Sequence, residues 1–417
     1  MKKLLVCLCV AGLMVSSVSP LFAGGIENKH NWSAEYIRTL NRNAATDSVD
    51  AVVYNPAGVM KMEDGLYLGL AGQYALKDYS NTYDGIEYDT DEPDFVPSLF
   101  TLYKKDKWAA FGAVTVVVAG GEVDFKEGNT TTYLLGRGLT LPFPTGLGGT
   151  LIDHYLKGES YFIGYTLGGA YAINDMVSVS LGARYVDASR EFRGHATLLG
   201  TVLGDITPAV DYEETGHGWG GIIGVNIAPT EKLNIGLRYE TKTSIDLRTD
   251  VKTDTVPPSG LPGLVDGSKR NRDLPALMGL GVSYKFNPKI KVDANFTWYL
   301  NNDVDWDDNL VTIGDETQKD NGYDIGIACE YTFNPKWKAS VGYMYTEVGI
   351  DPDDMKVETP ELNANSIAGG IAYKATPSVD LNLGILYVFY KDSTTSTGIK
   401  YEKDATVIGA GVQYKFF

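Results

Sequence analysis

Polar and apolar residues alternate with a period of two along much of this chain. From Ile290 to Leu300 the apolar set is Ile290, Val292, Ala294, Phe296, Trp298 and Leu300, with Lys291, Asp293, Asn295 and Thr297 between them. Successive strand side chains point to opposite faces, so this segment carries one wholly apolar face. The pattern recurs at 177–185, 323–333 and 379–389. Cys329 falls on the apolar face of the second of these and reads as an inert, lipid-facing thiol.

The connections alternate in length. Short turns fall at 105–107, 173–175, 229–231, 287–289, 334–336 and 376–378. Several hold Asn-Pro or Asn-Asp, where the Asn side chain bonds nearby backbone and proline presets φ. Long polar or Gly/Pro-rich connections cover 79–94, 119–158, 193–212, 248–272, 301–319, 349–362 and 392–402. Six turns and seven loops join fourteen strands. Short turns on one rim and long loops on the other are the habit of outer-membrane barrels. Tyr171, Tyr284, Phe286, Phe333, Tyr373, Tyr414 and Phe416 lie beside the tight turns, as an aromatic interface girdle requires. A soluble β-sandwich also alternates, but nothing in it calls for this loop asymmetry. The expected fold is therefore all-β, a fourteen-stranded antiparallel transmembrane barrel over 63–417.

The start of the chain supports export. Lys2 and Lys3 precede an apolar run from Leu4 to Val15, and Ala23 closes the stretch. Residues 1–23 read as a signal peptide. No later run approaches the ~18 apolar residues of a membrane helix, so spanning requires a closed barrel with every backbone group paired. Residues 24–62 lack strand alternation. Ser33 is a candidate N-cap for a short helix carrying Tyr36, Ile37 and Leu40, and a second short helix is expected from Asp47. Fourteen strands enclose a lumen too wide for their own side chains to fill, which makes this segment a natural plug.

Composition narrows the function. The chain has 417 residues with 47 Gly, 27 Tyr and 3 Cys, and a net charge of -17. Three cysteines exclude a disulfide scaffold, and the acidic balance excludes nucleic acid as a partner. Four His residues show no metal spacing, and no nucleophile elbow is present. Gly216-x-Gly218-x-x-Gly221 matches a dinucleotide fingerprint on paper but precedes no helix. Asp303, Asp305 and Asp307 start like a calcium loop, which fails at Asp308 and Gly314. No enzymatic activity, cofactor or metal is expected. The acidic loops are expected to be solvated and bridged to the lipopolysaccharide of an outer membrane by divalent cations.

Asn55-Pro56-Ala57, set between the helical segment and the first strand, resembles the hatch motif of the FadL-type long-chain fatty acid transporters. The preceding stretch from Asn43 to Ala51 is similar to that family's hatch region. The ending Val412-Gln413-Tyr414-Lys415-Phe416-Phe417 resembles the signal read by the barrel assembly machinery. The resemblance implies passive uptake of hydrophobic compounds such as long-chain fatty acids. Outer loops capture the ligand, a lumenal pocket receives it, and it leaves sideways at a kinked third strand that the hatch motif touches. An importer of aromatic hydrocarbons with the same fold is the alternative, and a general diffusion porin is another.

The residues offer their own binding candidates. The stretches 119–158 and 193–212 are unusually apolar for loops, with Leu147, Leu151, Ile152, Tyr155, Leu198 and Leu199 among their apolar side chains. Apolar patches of that size mark binding or mutual loop packing. Arg184, Arg238 and Lys291 fall on lumen-facing positions. They would pair either with a ligand carboxylate or with Asp293, Glu240, Asp324 and Glu330.

Overall fold

A computed structural model describes residues 31–261, 263–307 and 319–417. The signal peptide, residues 24–30 and the failed calcium loop's sixth and twelfth positions lie outside the described residues.

Fourteen strands form the wall. They are β1 (Gly65–Tyr83), β2 (Asp94–Lys105), β3 (Trp108–Phe125), β4 (Thr150–Ala172), β5 (Val177–Thr201) and β6 (Ala209–Ile227). Next come β7, in two parts (Leu233–Glu240 and Asp246–Asp254), and β8, also in two (Lys269–Asn271 and Ala276–Asn287). The wall is completed by β9 (Ile290–Leu300), β10 (Gly322–Asn334), β11 (Trp337–Glu347), β12 (Ala364–Thr376), β13 (Val379–Tyr390) and β14 (Lys400–Lys415). Neighbours pair antiparallel throughout, and β1 closes on β14 from Tyr67↔Lys415 to Thr82↔Lys400.

The six tight turns sit where the sequence places them. Their chemistry repeats. Asn287 Oδ1 accepts from the Lys289 and Ile290 amides at 2.8 and 3.0 Å. Asn334 does the same for Lys336 and Trp337, and Asn174 for Met176 and Val177. One Asn oxygen thus closes each of these three hairpins before the ladder begins.

The apolar faces point outward. Leu167, Leu181, Ile223, Ile327, Ile371 and Ile385 are exposed along the outer wall, and Cys329 is exposed there as a free thiol. Tyr171, Tyr284, Phe286 and Phe333 are exposed near the turn rim. Among the described residues no helix is long and apolar enough to cross a membrane.

The other rim corrects one expectation. The stretches 119–158 and 193–212 are not mainly loops. β3 runs to Phe125, β4 starts at Thr150, β5 reaches Thr201 and β6 starts at Ala209. Between β3 and β4 lies helix α3 (Thr130–Leu139). Strand pairing continues above the apolar belt because the alternation continues, with charged instead of apolar residues on the outer face.

Inside the wall lies the segment 31–62, with α1 (Ala34–Ile37) and α2 (Ala51–Tyr54). Ser33 caps α1 by accepting from the Tyr36 amide at 3.0 Å. The second helix starts at Ala51, not Asp47, because Asp47 and Asp50 are drawn to Arg42 instead. Trp32, Tyr36 and Tyr54 stack at 5.4 to 5.6 Å between centroids and form the middle of the core. The wall makes room for this segment with glycine. A Cβ at Gly342 would overlap the Thr39 carbonyl, and one at Gly281 would overlap the Ala44 amide. Gly342→Val should therefore push the segment out of place while leaving the outer wall intact. Single-channel conductance is expected to rise while the protein still migrates faster unheated than boiled. A silent channel would contradict this.

Candidate functional site

The site is built from three parts that follow one another down the lumen. The outermost rests on α3. Its capping box is complete: Asn129 Oδ1 accepts from the Thr132 amide at 3.0 Å, and Thr132 Oγ1 accepts from the Asn129 amide at 2.9 Å. The Asn129 side-chain amide also donates to Glu358. Thus fixed, α3 covers a cavity of about 320 Å³ against the upper parts of β5 and β6. Leu134, Leu135, Leu139, Phe192, Ala196 and Val210 line it, and His195 is the sole ionisable side chain among its described lining residues.

The residues expected to capture ligand lie around this cavity rather than in it. Leu151 packs beneath Gly136 of α3, and Leu198 is buried beside it in register. Tyr155 stacks on His195 at 5.4 Å. Leu147, Ile152 and Leu199 belong to the outer tip, half-buried or exposed. The lining leucines come from the same apolar stretch. Their helical spacing in 130–139 was the signal that separates lining from support.

Below, a slot of about 70 Å³ opens between β3, β4, β5, β6 and the 356–359 segment. Val123, Leu156, Phe192 and Tyr212 give it apolar walls, and Arg190, Lys356, Glu214 and Glu358 give it charge. Phe192 lines both cavities and joins them. Arg190 makes no ion pair or hydrogen bond among the described residues, although Glu214 lies opposite it in register. Burial pushes the Glu358 carboxyl above the usual glutamate range, which weakens it as a rival anion. Sequence reading missed Arg190 because alternation alone does not tell a paired lumenal arginine from an unpaired one.

The three basic residues singled out from the sequence are all engaged by protein carboxylates. Arg184 meets Glu240 at 2.6 Å, and Arg238 meets the same carboxylate at 3.4 Å while donating to the Val53 carbonyl. Lys291 meets Asp47 and Asp293 at 3.4 Å and Glu330 at 3.7 Å. Two of them therefore hold the N-terminal segment to the wall.

The third part is a fault in the wall at β3. Pairing of β2 with β3 runs from Lys105↔Trp108 to Leu99↔Val114 and, among the described residues, stops there. On the other side β3 slips register twice against β4, between Val116 and Val118 and between Ala119 and Gly121. Gly121 takes φ 74°, which a side chain would resist. Trp32 of the N-terminal segment donates its indole N–H to the Val116 carbonyl at 2.7 Å. Lys77 closes the top of the fault by donating to Asp94 on β2 and to the Glu122 carbonyl on β3.

The Asn55-Pro56-Ala57 motif sits elsewhere. Asn55 Nδ2 donates to Asn226 on β6 at 2.8 Å and to the Ala45 carbonyl at 3.0 Å. The Ala57 carbonyl accepts from Ser178 on β5 at 2.7 Å, and Pro56 packs near Gly224. The motif thus anchors the segment to β5 and β6, and Trp32 is the residue that bonds to the kinked strand. On the turn rim an open cavity of about 1120 Å³, lined by Lys61, Asp175, Lys232 and Lys289, forms a polar vestibule.

A plugged barrel with an apolar outer cavity and a fault in its wall defines a membrane channel for cargo that avoids water. The family described as outer membrane protein transport protein (OMPP1/FadL/TodX) matches residues 158–416. The chain belongs to this family of outer-membrane transport proteins, whose members are channels and not enzymes. It is similar to the long-chain fatty acid transport protein of Escherichia coli O6:H1, 21% identical over 335 residues, which cover 67% of this chain and 74% of that protein. Its fold is that of a Pseudomonas aeruginosa FadL homologue (TM-score 0.72, 14% identity, 94% of this chain and 100% of that one). It is also that of the Ralstonia pickettii toluene transporter TbuX (TM-score 0.64, 17% identity, 94% and 99%).

Proposed function

We propose that this protein carries long-chain fatty acids passively across the outer membrane. The observation that carries the reading is the apolar cavity under α3, joined through Phe192 to a slot holding Arg190, which has no ion-pair partner among the described residues. The alkyl chain is taken up first, since each buried methylene contributes about 0.8 kcal/mol. The carboxylate then pairs with Arg190 in the slot. The β3 fault, beside Val123 and Gly121 of that slot, is the lateral exit into the bilayer. The segment 24–62 acts as the hatch, with Asn55, Pro56 and Ala57 as its fixed end and Trp32 as its moving one.

Arg190→Gln tests the choice of cargo. A lost charge-assisted hydrogen bond costs about 1.5–3 kcal/mol, so oleate should bind tenfold or more weakly. Methyl oleate and toluene should bind as before. The aromatic hydrocarbon reading draws on the pairing of Arg184, Arg238 and Lys291 by protein carboxylates, which leaves a neutral cargo unopposed. Tight toluene binding, with oleate affinity indifferent to Arg190→Gln, would favour it over fatty acids.

A further inference from the structure

The upper ends of β4 and β5 form an arm whose tip carries no charge. Residues 138–152 and 196–204 hold no Asp, Glu, Lys or Arg, in a chain where those make up 21%. The tip is one structure, not two loose loops. The Val202 amide donates to the Leu147 carbonyl at 2.8 Å, Leu147 to Leu139 at 2.7 Å and Gly148 to Leu141 at 2.9 Å. Yet its side chains face water: Phe143 is 72% exposed, Val202 61% and Leu203 59%. Exposed apolar surface of this kind marks an interaction.

The protein's own membrane does not cover it. The lipid-facing belt ends near Tyr165, Tyr185 and Trp219, which lie side by side in register. Above them the outer face carries a charged collar. Glu159, Glu191 and Glu213 form one row, and Lys157, Arg193 and Asp211 the next. The collar is cross-linked by ion pairs, Lys157–Glu159 at 3.1 Å and Arg193–Asp211 at 3.3 Å among them. From Glu159 to Leu151 the strand runs a further ~25 Å at about 3.3 Å per residue, a rise of roughly 20 Å at the tilt of a barrel strand. The tip therefore stands clear of the bilayer that holds the barrel.

The chemistry of the tip also selects its partner. Protein interfaces are anchored by Trp, Tyr and Arg and registered by polar pairs. This tip offers Leu, Val, Ile and one Phe, with Gly and Pro between. It suits an apolar phase that needs no pairing. It is continuous with the cavity, because Leu135 and Leu139 line the cavity, Leu141 follows them into the tip and Leu151 packs under Gly136. We propose that the tip docks on the surface of a lipid aggregate outside the cell, a vesicle or micelle, and loads the cavity from it. This rests on the reading of a hydrophobic cargo given above.

The test uses the full barrel in nanodiscs with added phosphatidylcholine vesicles. The wild type should float with the vesicles. A Phe143→Trp variant should gain a blue-shifted emission band that brominated phosphatidylcholine quenches. The combined Leu141→Asp, Phe143→Asp, Val202→Asp and Leu203→Asp variant should lose tenfold or more of the rate of oleate transfer from vesicles. Its binding of monomeric oleate should change less than twofold. Emission from Phe143→Trp that vesicles leave unchanged would overturn the proposal without any aspartate variant. So would an unchanged vesicle transfer rate in the aspartate variant, or nanodiscs that pair with each other through the tip instead. A wild type that meets vesicles but binds no monomeric oleate would support the contact and overturn the cargo reading.

Discussion

Replacing Arg42 with methionine should release the N-terminal segment from the lumen and turn a filled barrel into a conducting one. Arg42 is buried and makes four hydrogen bonds to three residues of its own segment. Its guanidinium reaches Asp50 at 2.6 and 3.0 Å, Asp47 at 2.8 Å and Ser48 at 2.7 Å. Asp50 is buried too and also accepts from Ser33 at 2.8 Å, the residue that caps α1. One arginine thus ties α1 to α2. Removing one partner of a buried pair costs about 3–5 kcal/mol, because the other charge stays behind without compensation. That shifts the ratio of docked to released segment by more than about a hundredfold. The wall does not depend on this pair, since its ladder closes through β1 and β14. Planar-bilayer recordings should show conductance well above the wild type's, and protease added from the turn side should cut within 31–62. A variant that stays silent and uncut would mean that contacts to the wall, such as Arg38 to Glu330 at 2.6 Å, hold the segment without Arg42.

The wall was legible because it obeys one rule, alternation, which a sequence states outright. Ile290 to Leu300 reads as a strand with an apolar face, and Phe296 and Trp298 do face outward. Three of the tight turns were legible for a local reason, an Asn whose side chain bonds the next amides. The height of the strands was not legible. Gly and Pro scattered through 119–158 and 193–212 read as loop, although β4 already starts at Thr150 and β5 reaches Thr201. Pairing there is sustained by the register inherited from below. The site was half legible. The apolar stretches pointed to the right region, but Leu134 and Leu139 line the cavity while Leu151 and Leu198 support it. That difference lies in a helix of ten residues inside what reads as loop. The lumenal charges were the least legible. Lys291 is paired by Asp47, 244 residues away, and only folding brings them together.

Ligand affinity, dominated by the outer cavity, should climb with chain length and lose on esterification of the head group only the roughly tenfold that Arg190 contributes in the slot. Among its described lining residues the cavity holds no lysine or arginine that a carboxylate could meet. Its contribution is therefore apolar burial, about 0.8 kcal/mol or close to fourfold in affinity per methylene. The rise should flatten once the chain fills the ~320 Å³ available. Saturated acids from eight to eighteen carbons and their methyl esters, bound to purified barrel, provide the measurement. Val210→Asp provides the second arm. Val210 is buried in the cavity wall on β6, opposite Gly194. A carboxylate there meets apolar neighbours and would itself resist desolvation, so long chains should lose most, a hundredfold or about 2.7 kcal/mol by an uncompensated polar burial. Short chains, which leave the wall wet, should lose least. The opposite pattern, affinity blind to length and abolished by esterification, would move capture from the cavity to the charged slot around Arg190.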